Sequence, residues 1–181
     1  MRSAESLTYR EWLSVLEEAI RQFNEKETYL IKNDLSERCI NSKLTMYVER
    51  VLENQEIEGV DVDVEYNRGF NRSGYLVKYL QGKRIFPDLV VHKREYDDEY
   101  GFLNLICVEM KKEKDRRGFE TDLERLRALT YGPNGFGFRL GAFVVVVSNK
   151  RLNDYRLEIW EVFVEGETYY DRNAESGNQL F

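Results

Sequence analysis

The chain has 181 residues, with 33 acidic against 27 basic side chains and a formal net charge of −6. That balance excludes a dedicated, strongly cationic nucleic-acid binder but leaves room for a local basic surface. Hydrophobic residues make up 42%, enough for the core of one domain over 1–181, and no run is apolar enough to span a bilayer.

The N-terminus "MRSAESLTYREWL" lacks the apolar segment of a secretory signal. Cys39 and Cys107 form neither metal-ligand spacing nor a disulfide framework. The reading is of reduced thiols in a cytoplasmic protein, Cys107 within a strand. "LTYREWLSVLEEAIRQFNEKE" reads as an N-terminal helix over 8–28. Thr8 and Glu11 fit a capping box, and Leu13, Leu16, Ile20 and Phe23 recur at the helical period. "NDLSERCINSKLTMYVERVLENQ" predicts a second helix starting near Asp34, with Ile40, Leu44, Tyr47, Val48, Val51 and Leu52 as its apolar stripe. "VDVDVEYN" alternates as a half-buried strand does, with Val60, Val62 and Val64 opposite Asp61, Asp63 and Glu65; Glu65 reads as solvated. "YLVKYLQGKRIF" predicts a hairpin turning at Gln81-Gly82. "PDLVVHKR" and "LNLICVEMKK" follow as two strands joined across "EYDDEYG", whose "YDDEY" lacks the ligand spacing of a calcium loop and reads as a hairpin tip. "TDLERLRALTYG" predicts a third helix, with Phe119, Leu123, Leu126 and Leu129 on one side and its end near Gly132-Pro133. "LGAFVVVVSN" has the unbroken apolar character of a central strand covered on both faces. "YRLEIWEVFVE" reads as the last strand and "NAESGNQLF" as a frayed tail. A helix between two strands serves as a crossover, so the fold class is α/β with a mixed sheet.

Charges interrupt two of these strands. Glu109 and Lys111 are two apart and share a face. If the flanking strands pair as an antiparallel hairpin, Asp88 at the start of one lies beside Glu109 at the end of the other. Neighbouring carboxylates repel, and the remedy is a cation. Lys111 supplies one charge, and an oxygen-rich site of this kind suits Mg²⁺ (or Mn²⁺), which keeps open positions for a phosphate. Read only as a strand end, the same residues would be a solvated patch fraying into "KKEKDRR". The single histidine, His92, shares the Asp88 face if alternation holds and reads as a structural, hydrogen-bonded residue. Asp122, in the first turn of the third helix, reads as an acid favoured by the helix dipole, with contact to Lys111 as the other option.

"PDLVVHKR…NLICVEMKK" followed by "TDLERLRALT" resembles the PD-(D/E)XK phosphodiesterase superfamily, in its small standalone prokaryotic type; upstream, "SERCINSKLTMYVERVL" and "DVEYNR" share the likeness. The resemblance covers about 34–150, leaving the N-terminal helix outside it and the C-terminal strand and tail at 154–181. It implies a restriction-endonuclease-like core, αβββαβ, with helices flanking a mixed central sheet. It implies that Asp88, Glu109 and the backbone carbonyl of Met110 ligate the metal, and that Lys111 positions the attacking water. It also implies a glutamate on the first core helix pointing into the site. Glu37 fits that place, since it precedes Ile40 by three and Leu44 by seven on the apolar stripe; the local alternative is a capping-box variant with Asp34. The implied activity is Mg²⁺-dependent hydrolysis of phosphodiester bonds in DNA, ahead of RNA. The alternative is a non-catalytic module of the same fold, binding nucleic acid or a protein partner in a larger defence, repair or mobile-element system; a homodimer is compatible with either.

Between Tyr66 and Pro87 there is no acid, while Arg68, Arg72, Lys78, Lys83 and Arg84 are interleaved with Phe70, Tyr75, Tyr79 and Phe86. Cations beside a phosphate-cleaving site offset backbone charge, and aromatics stack on unpaired bases. With Lys112 these residues form the expected nucleic-acid surface. The competing reading is a twisted hairpin whose aromatics pack on the core.

Overall fold

The structure, a computed structural model, describes residues 2–71, 74–80, 82–94, 103–132 and 136–173; the side chains of 68–77 are not among those described. In chain order, strand β1 (Arg2–Ser3) and a 3-10 turn (Ala4–Ser6) precede helices α1 (Tyr9–Lys26), α2 (Thr28–Lys32) and α3 (Glu37–Asn54). Strands β2 (Ile57–Glu58), β3 (Asp61–Val64), β4 (Arg68–Asn71), β5 (Gly74–Val77), β6 (Tyr79–Leu80), β7 (Lys83–Arg84), β8 (Leu89–His92) and β9 (Asn104–Lys112) follow. Helix α4 (Phe119–Thr130) leads into β10 (Leu140–Asn149), β11 (Asp154–Val164) and β12 (Glu167–Asp171).

Six strands form one mixed sheet in the order β12-β11-β10-β9-β8-β3. The β9/β10 pair is parallel and the other neighbours are antiparallel. A parallel pair cannot be joined by a tight turn, and α4 is the connection that carries the chain back. The fold is therefore mixed α/β.

Alternation on the strands splits the core into two layers. Leu89, Val91, Ile106, Val108, Met110 and Val144 meet α1 and α3 through Trp12, Leu16, Phe23, Ile40, Leu44 and Val48. Val90, Cys107, Phe143 and Val145 meet α4 through Leu126 and Leu129. β10, flanked by β9 and β11, is buried from Leu140 to Val147. The close seat of α4 needs Gly141: a Cβ there would lie 2.9 Å from the Thr130 Cγ2.

The capping box of α1 forms as its residues dictate, with the Thr8 N–H donating to Glu11 Oε2 at 2.8 Å. Its buried stripe is Trp12, Val15, Leu16, Ala19, Ile20 and Phe23, so Leu13 falls at its margin. Three boundaries differ from the sequence expectation. α3 starts at Glu37 rather than near Asp34, because Asp34 adopts φ 57 and Ser36 caps the helix by accepting the Cys39 N–H at 3.2 Å. The expected hairpin is shorter, since β6 pairs β7 while the residues before it pair as β4 and β5, and Gln81 of its expected turn lies outside the described residues. β11 is not the last strand, because Glu165 and Gly166 at φ 52 and 82 turn the chain back as β12. α4 ends at Thr130, close to the expected Gly132-Pro133, of which Pro133 lies outside the described residues, as do the expected hairpin tip 95–101 and the tail beyond Asn173. Both cysteines are free, Cys107 buried and Cys39 exposed. Among the described residues no helix is long and apolar enough to cross a membrane.

Candidate functional site

Leu89 pairs with Val108, Val90 with Cys107 and Val91 with Ile106. Continued by one residue, that register sets Asp88 opposite Glu109. Since Val90 and Cys107 belong to the α4 layer, period-two alternation puts Asp88, Glu109 and Lys111 on that same face. Asp88 Oδ2 accepts the Met110 N–H at 2.7 Å. The N–H and C=O of one strand residue point to the same edge, so the Met110 carbonyl is directed to the side of Asp88, beyond the first paired residue of β8. Asn41, buried on α3, donates from Nδ2 to the backbone oxygen of Asp88. The backbone and the side chain of Asp88 are thus held separately, one from α3 and one from β9.

Glu109 is only 2% exposed. Its Oε1 accepts from Arg125 Nη1 at 2.9 Å, and the same nitrogen lies 3.4 Å from Asp122 Oδ1. Asp122 and Arg125 are three apart on α4 and so share a face. Asp122 Oδ2 is buried without a hydrogen-bond partner and faces the Lys111 Nζ at 3.5 Å. On the other side, Glu37 at the first turn of α3 accepts the Lys112 N–H through Oε1 at 2.8 Å and has Oε2 3.8 Å from Lys111 Nζ. Glu37 therefore turns toward β9 and not back to Asp34. Asp34 instead accepts from Lys112 and Lys114 Nζ at 2.8 and 2.6 Å.

These positions set the charge states. Burial raises Asp88 to about 6, against the pull of the Met110 N–H. Burial and then the nearby Asp88 charge raise Glu109 to about 8, against the pull of Arg125. For Lys111, burial lowers the pKa, but Asp122, Glu37, Asp88 and Glu109 together outweigh it and the net shift is upward. The ammonium is therefore the stable form in the chain as it stands.

The carboxylates at this centre offer oxygen ligands, which suit a hard divalent cation. Among the described residues no three His, Cys, Asp or Glu side chains are grouped so as to hold a metal as they stand. Asp88, Glu109 and Glu37 are each engaged by a protein donor. The buried, mutually repelling Asp88 and Glu109 nonetheless form the kind of pair that a cation stabilises.

The expected nucleic-acid residues divide. Lys83 and Arg84 are exposed on β7, just ahead of Asp88, with Arg84 Nε 3.2 Å from the Tyr79 hydroxyl. Lys112 is largely covered by its contacts with Asp34. Lys78 is not presented at the surface: it is 2% exposed, with Nζ 5.0 to 5.9 Å from the ring centres of Tyr66, Phe136 and Phe138, and burial lowers it to about 8. Arg72 and the side chain of Arg68 lie outside what is described. His92 is buried and structural, with Nε2 2.9 Å from Asp63 Oδ2, which also accepts from Arg94. Glu65 is exposed, 3.3 Å from Arg38.

Arg125 and Asn41 at the centre escape the sequence reading, and Asp122 takes the less favoured of its two readings. Asp122 does sit in the first turn of α4, but its carboxylate is buried against Lys111, which makes the contact reading the observed one. Arg125 carried a signal only as the i+3 partner of Asp122, hidden in a helix rich in charge. Asn41 is a polar residue next to Ile40 on an otherwise apolar stripe and had no motif to mark it. No protein-family model, curated protein or solved structure matches this chain.

Proposed function

We propose that the chain is a metal-dependent nuclease of the PD-(D/E)XK superfamily that hydrolyses phosphodiester bonds, with DNA as the first candidate substrate and RNA as the second. The observation that carries this is the register across β8 and β9, which sets Asp88 against Glu109 with Lys111 on the same face. With β2 and β4 to β7, which lie outside the six-stranded sheet, set aside, α3, β3, β8, β9, α4 and β10 follow as helix, three strands, helix, strand, which supports the αβββαβ order of a restriction-endonuclease-like core.

In this reading Asp88, Glu109 and the Met110 carbonyl hold Mg²⁺ or Mn²⁺, with Glu37 at its margin. When bound, the cation lowers the pKa of a ligated water and neutralises charge on the scissile phosphate. Lys111 would donate a hydrogen bond that orients the attacking water and would offset developing negative charge. Asp122 and Glu37 hold the Lys111 amine between them. The exposed Lys83 and Arg84 would offset charge on the phosphate backbone, whereas Lys112 is already paired with Asp34.

The test is a cleavage assay on duplex and single-stranded DNA and on RNA, with Mg²⁺ and with chelator, for the wild type and for Asp88→Ala, Glu109→Ala and Lys111→Ala. Metal-dependent cleavage lost in all three variants is the expected result. Cleavage without metal, or full activity in the variants, refutes the mechanism.

A second reading, a non-catalytic module of the same fold, has one observation in its favour: Arg125 already neutralises Glu109 at 2.9 Å. Calorimetry separates the two, because such a module shows no Mg²⁺ heat that disappears in Glu109→Ala.

A further inference from the structure

Arg125 makes a contact for which the proposed reaction has no use. Its Nη1 lies between two carboxylates of the site, 2.9 Å from Glu109 Oε1 and 3.4 Å from Asp122 Oδ1. The two acids belong to different elements. Glu109 is fixed on a central strand, while Asp122 shares α4 with Arg125. The guanidinium can therefore shorten its contact to Asp122 by a side-chain rotation alone, with no movement of the helix. It is also reached by solvent, at 26% side-chain exposure against 2% for Glu109, so it has room to turn outward.

We infer that Arg125 is a built-in counter-ion that occupies the metal-facing oxygen of Glu109 until a divalent cation enters, and then transfers to Asp122. This rests on the metal reading proposed above and concerns how that site is loaded. An ionised Glu109 buried beside Asp88 without any cation would be strongly disfavoured, and a guanidinium supplies one positive charge and a directed hydrogen bond. A cation taking that oxygen would break the bond and would bring two positive charges close to a third. Asp122 offers the displaced guanidinium a second carboxylate already within reach. Through its other oxygen, Asp122 also faces Lys111 at 3.5 Å, so loading the metal would tighten the acid that holds the water-orienting amine.

Arg125 is thus a positioning residue that acts through Glu109, and its removal should favour the metal. Isothermal calorimetry of Mg²⁺ binding, without nucleic acid, compares the wild type with Arg125→Met, Arg125→Lys and Glu109→Gln. Tighter binding in Arg125→Met by about tenfold is expected, the equivalent of one displaced charge-assisted hydrogen bond. Arg125→Lys should fall between, because it keeps the charge but loses the planar fork. A purely structural arginine would leave the Mg²⁺ affinity unchanged or weaken it, and either result overturns the inference.

Should Arg125→Met fail to fold, the wild type answers by itself. The Arg125 Nε–H resonance, assigned by its loss in Arg125→Lys, should shift as Mg²⁺ is added and stay fixed in Glu109→Gln. A fixed resonance together with Glu109-dependent Mg²⁺ heat refutes the transfer while leaving the metal reading intact. Absence of Glu109-dependent Mg²⁺ heat in every protein, Arg125→Met included, removes both.

Discussion

Glu37 and Lys112, 75 residues apart, are joined by a hydrogen bond of 2.8 Å from the strand N–H to the helix carboxylate. The contact ties the first turn of α3 to the end of β9, where the site lies, and the other Glu37 oxygen faces Lys111. One side chain thus serves both architecture and charge.

The two roles can be separated. Glu37→Gln keeps an acceptor for the Lys112 N–H, so its stability to denaturant should stay within about 0.5 kcal/mol of wild type, while its Mg²⁺ affinity falls. Glu37→Ala loses the acceptor as well and should cost about 1–2 kcal/mol. Urea titration and calorimetry check the pair. Equal Mg²⁺ affinity in wild type and Glu37→Gln would remove Glu37 from the proposed metal site.

The raised pKa values of Asp88 and Glu109 predict how metal-free stability varies with pH. A carboxyl whose folded pKa exceeds its unfolded value holds its proton more tightly in the folded chain. Stability from that group is then full below the unfolded pKa and declines as pH climbs to the folded one. For Glu109 the window runs from 4.5 to about 8, and for Asp88 from 3.8 to about 6. Thermal melts with chelator should therefore lose stability from pH 5 to pH 8 more steeply in wild type than in Glu109→Gln. Added Mg²⁺ should raise Tm more at pH 8 than at pH 5, because ionised carboxylates bind it. A Mg²⁺ increment independent of pH would count against these two ligands.

Most of the frame was legible because it is written in side-chain period. The stripe from Ile40 to Leu52, the alternation of Val60 to Val64 and the apolar run Leu140 to Val147 each became the element their spacing implies. The Asp88, Glu109 and Lys111 face was legible for the same reason, as alternation and an antiparallel register are local rules. What escaped depended on a third dimension. Whether Lys78 points to solvent or into the rings of Tyr66, Phe136 and Phe138 is decided by how its hairpin folds over the sheet, which a run of basic and aromatic residues does not state. Asp122 obeys the helix-dipole rule and also meets Lys111; only the docking of α4 on the sheet reveals the second fact. The start of α3 was misjudged because Asp34 and Ser36 are both good capping residues. The tertiary contact of Asp34 with Lys112 and Lys114 leaves the capping to Ser36.

Lys111 and Asp122 should be energetically coupled. Asp122 Oδ2 is buried with no hydrogen-bond donor, and the ammonium 3.5 Å away is its compensation. Lys111→Met should therefore cost about 1–3 kcal/mol by leaving a buried carboxylate poorly paired, and Asp122→Asn in the same chain should recover part of that. A double-mutant cycle in urea should give a coupling of about 1 kcal/mol. Cleavage, where the wild type shows it, should drop at least about 100-fold in Lys111→Met. A coupling near zero would mean that Lys111 is held by Glu37 alone.

Gly141 offers a test remote from the chemistry. It lies on β10 beneath α4, and an alanine Cβ would stand 2.9 Å from the Thr130 Cγ2 and 3.4 Å from the Leu126 Cδ2. Thr130 cannot swing aside freely: its hydroxyl donates within α4, to the carbonyl of Leu126 at 2.9 Å, and accepts the Gly166 N–H at 3.2 Å. The helix itself must give. Gly141→Ala should cost about 1–3 kcal/mol as overpacking. Because Asp122 and Arg125 ride on the same helix, the shift should also lengthen the Arg125 contact to Glu109. The expected signature is lower stability together with tighter Mg²⁺ binding, read by urea titration and calorimetry. A loss of stability with Mg²⁺ affinity unchanged would show that the seat of α4 on β10 does not set the position of Arg125.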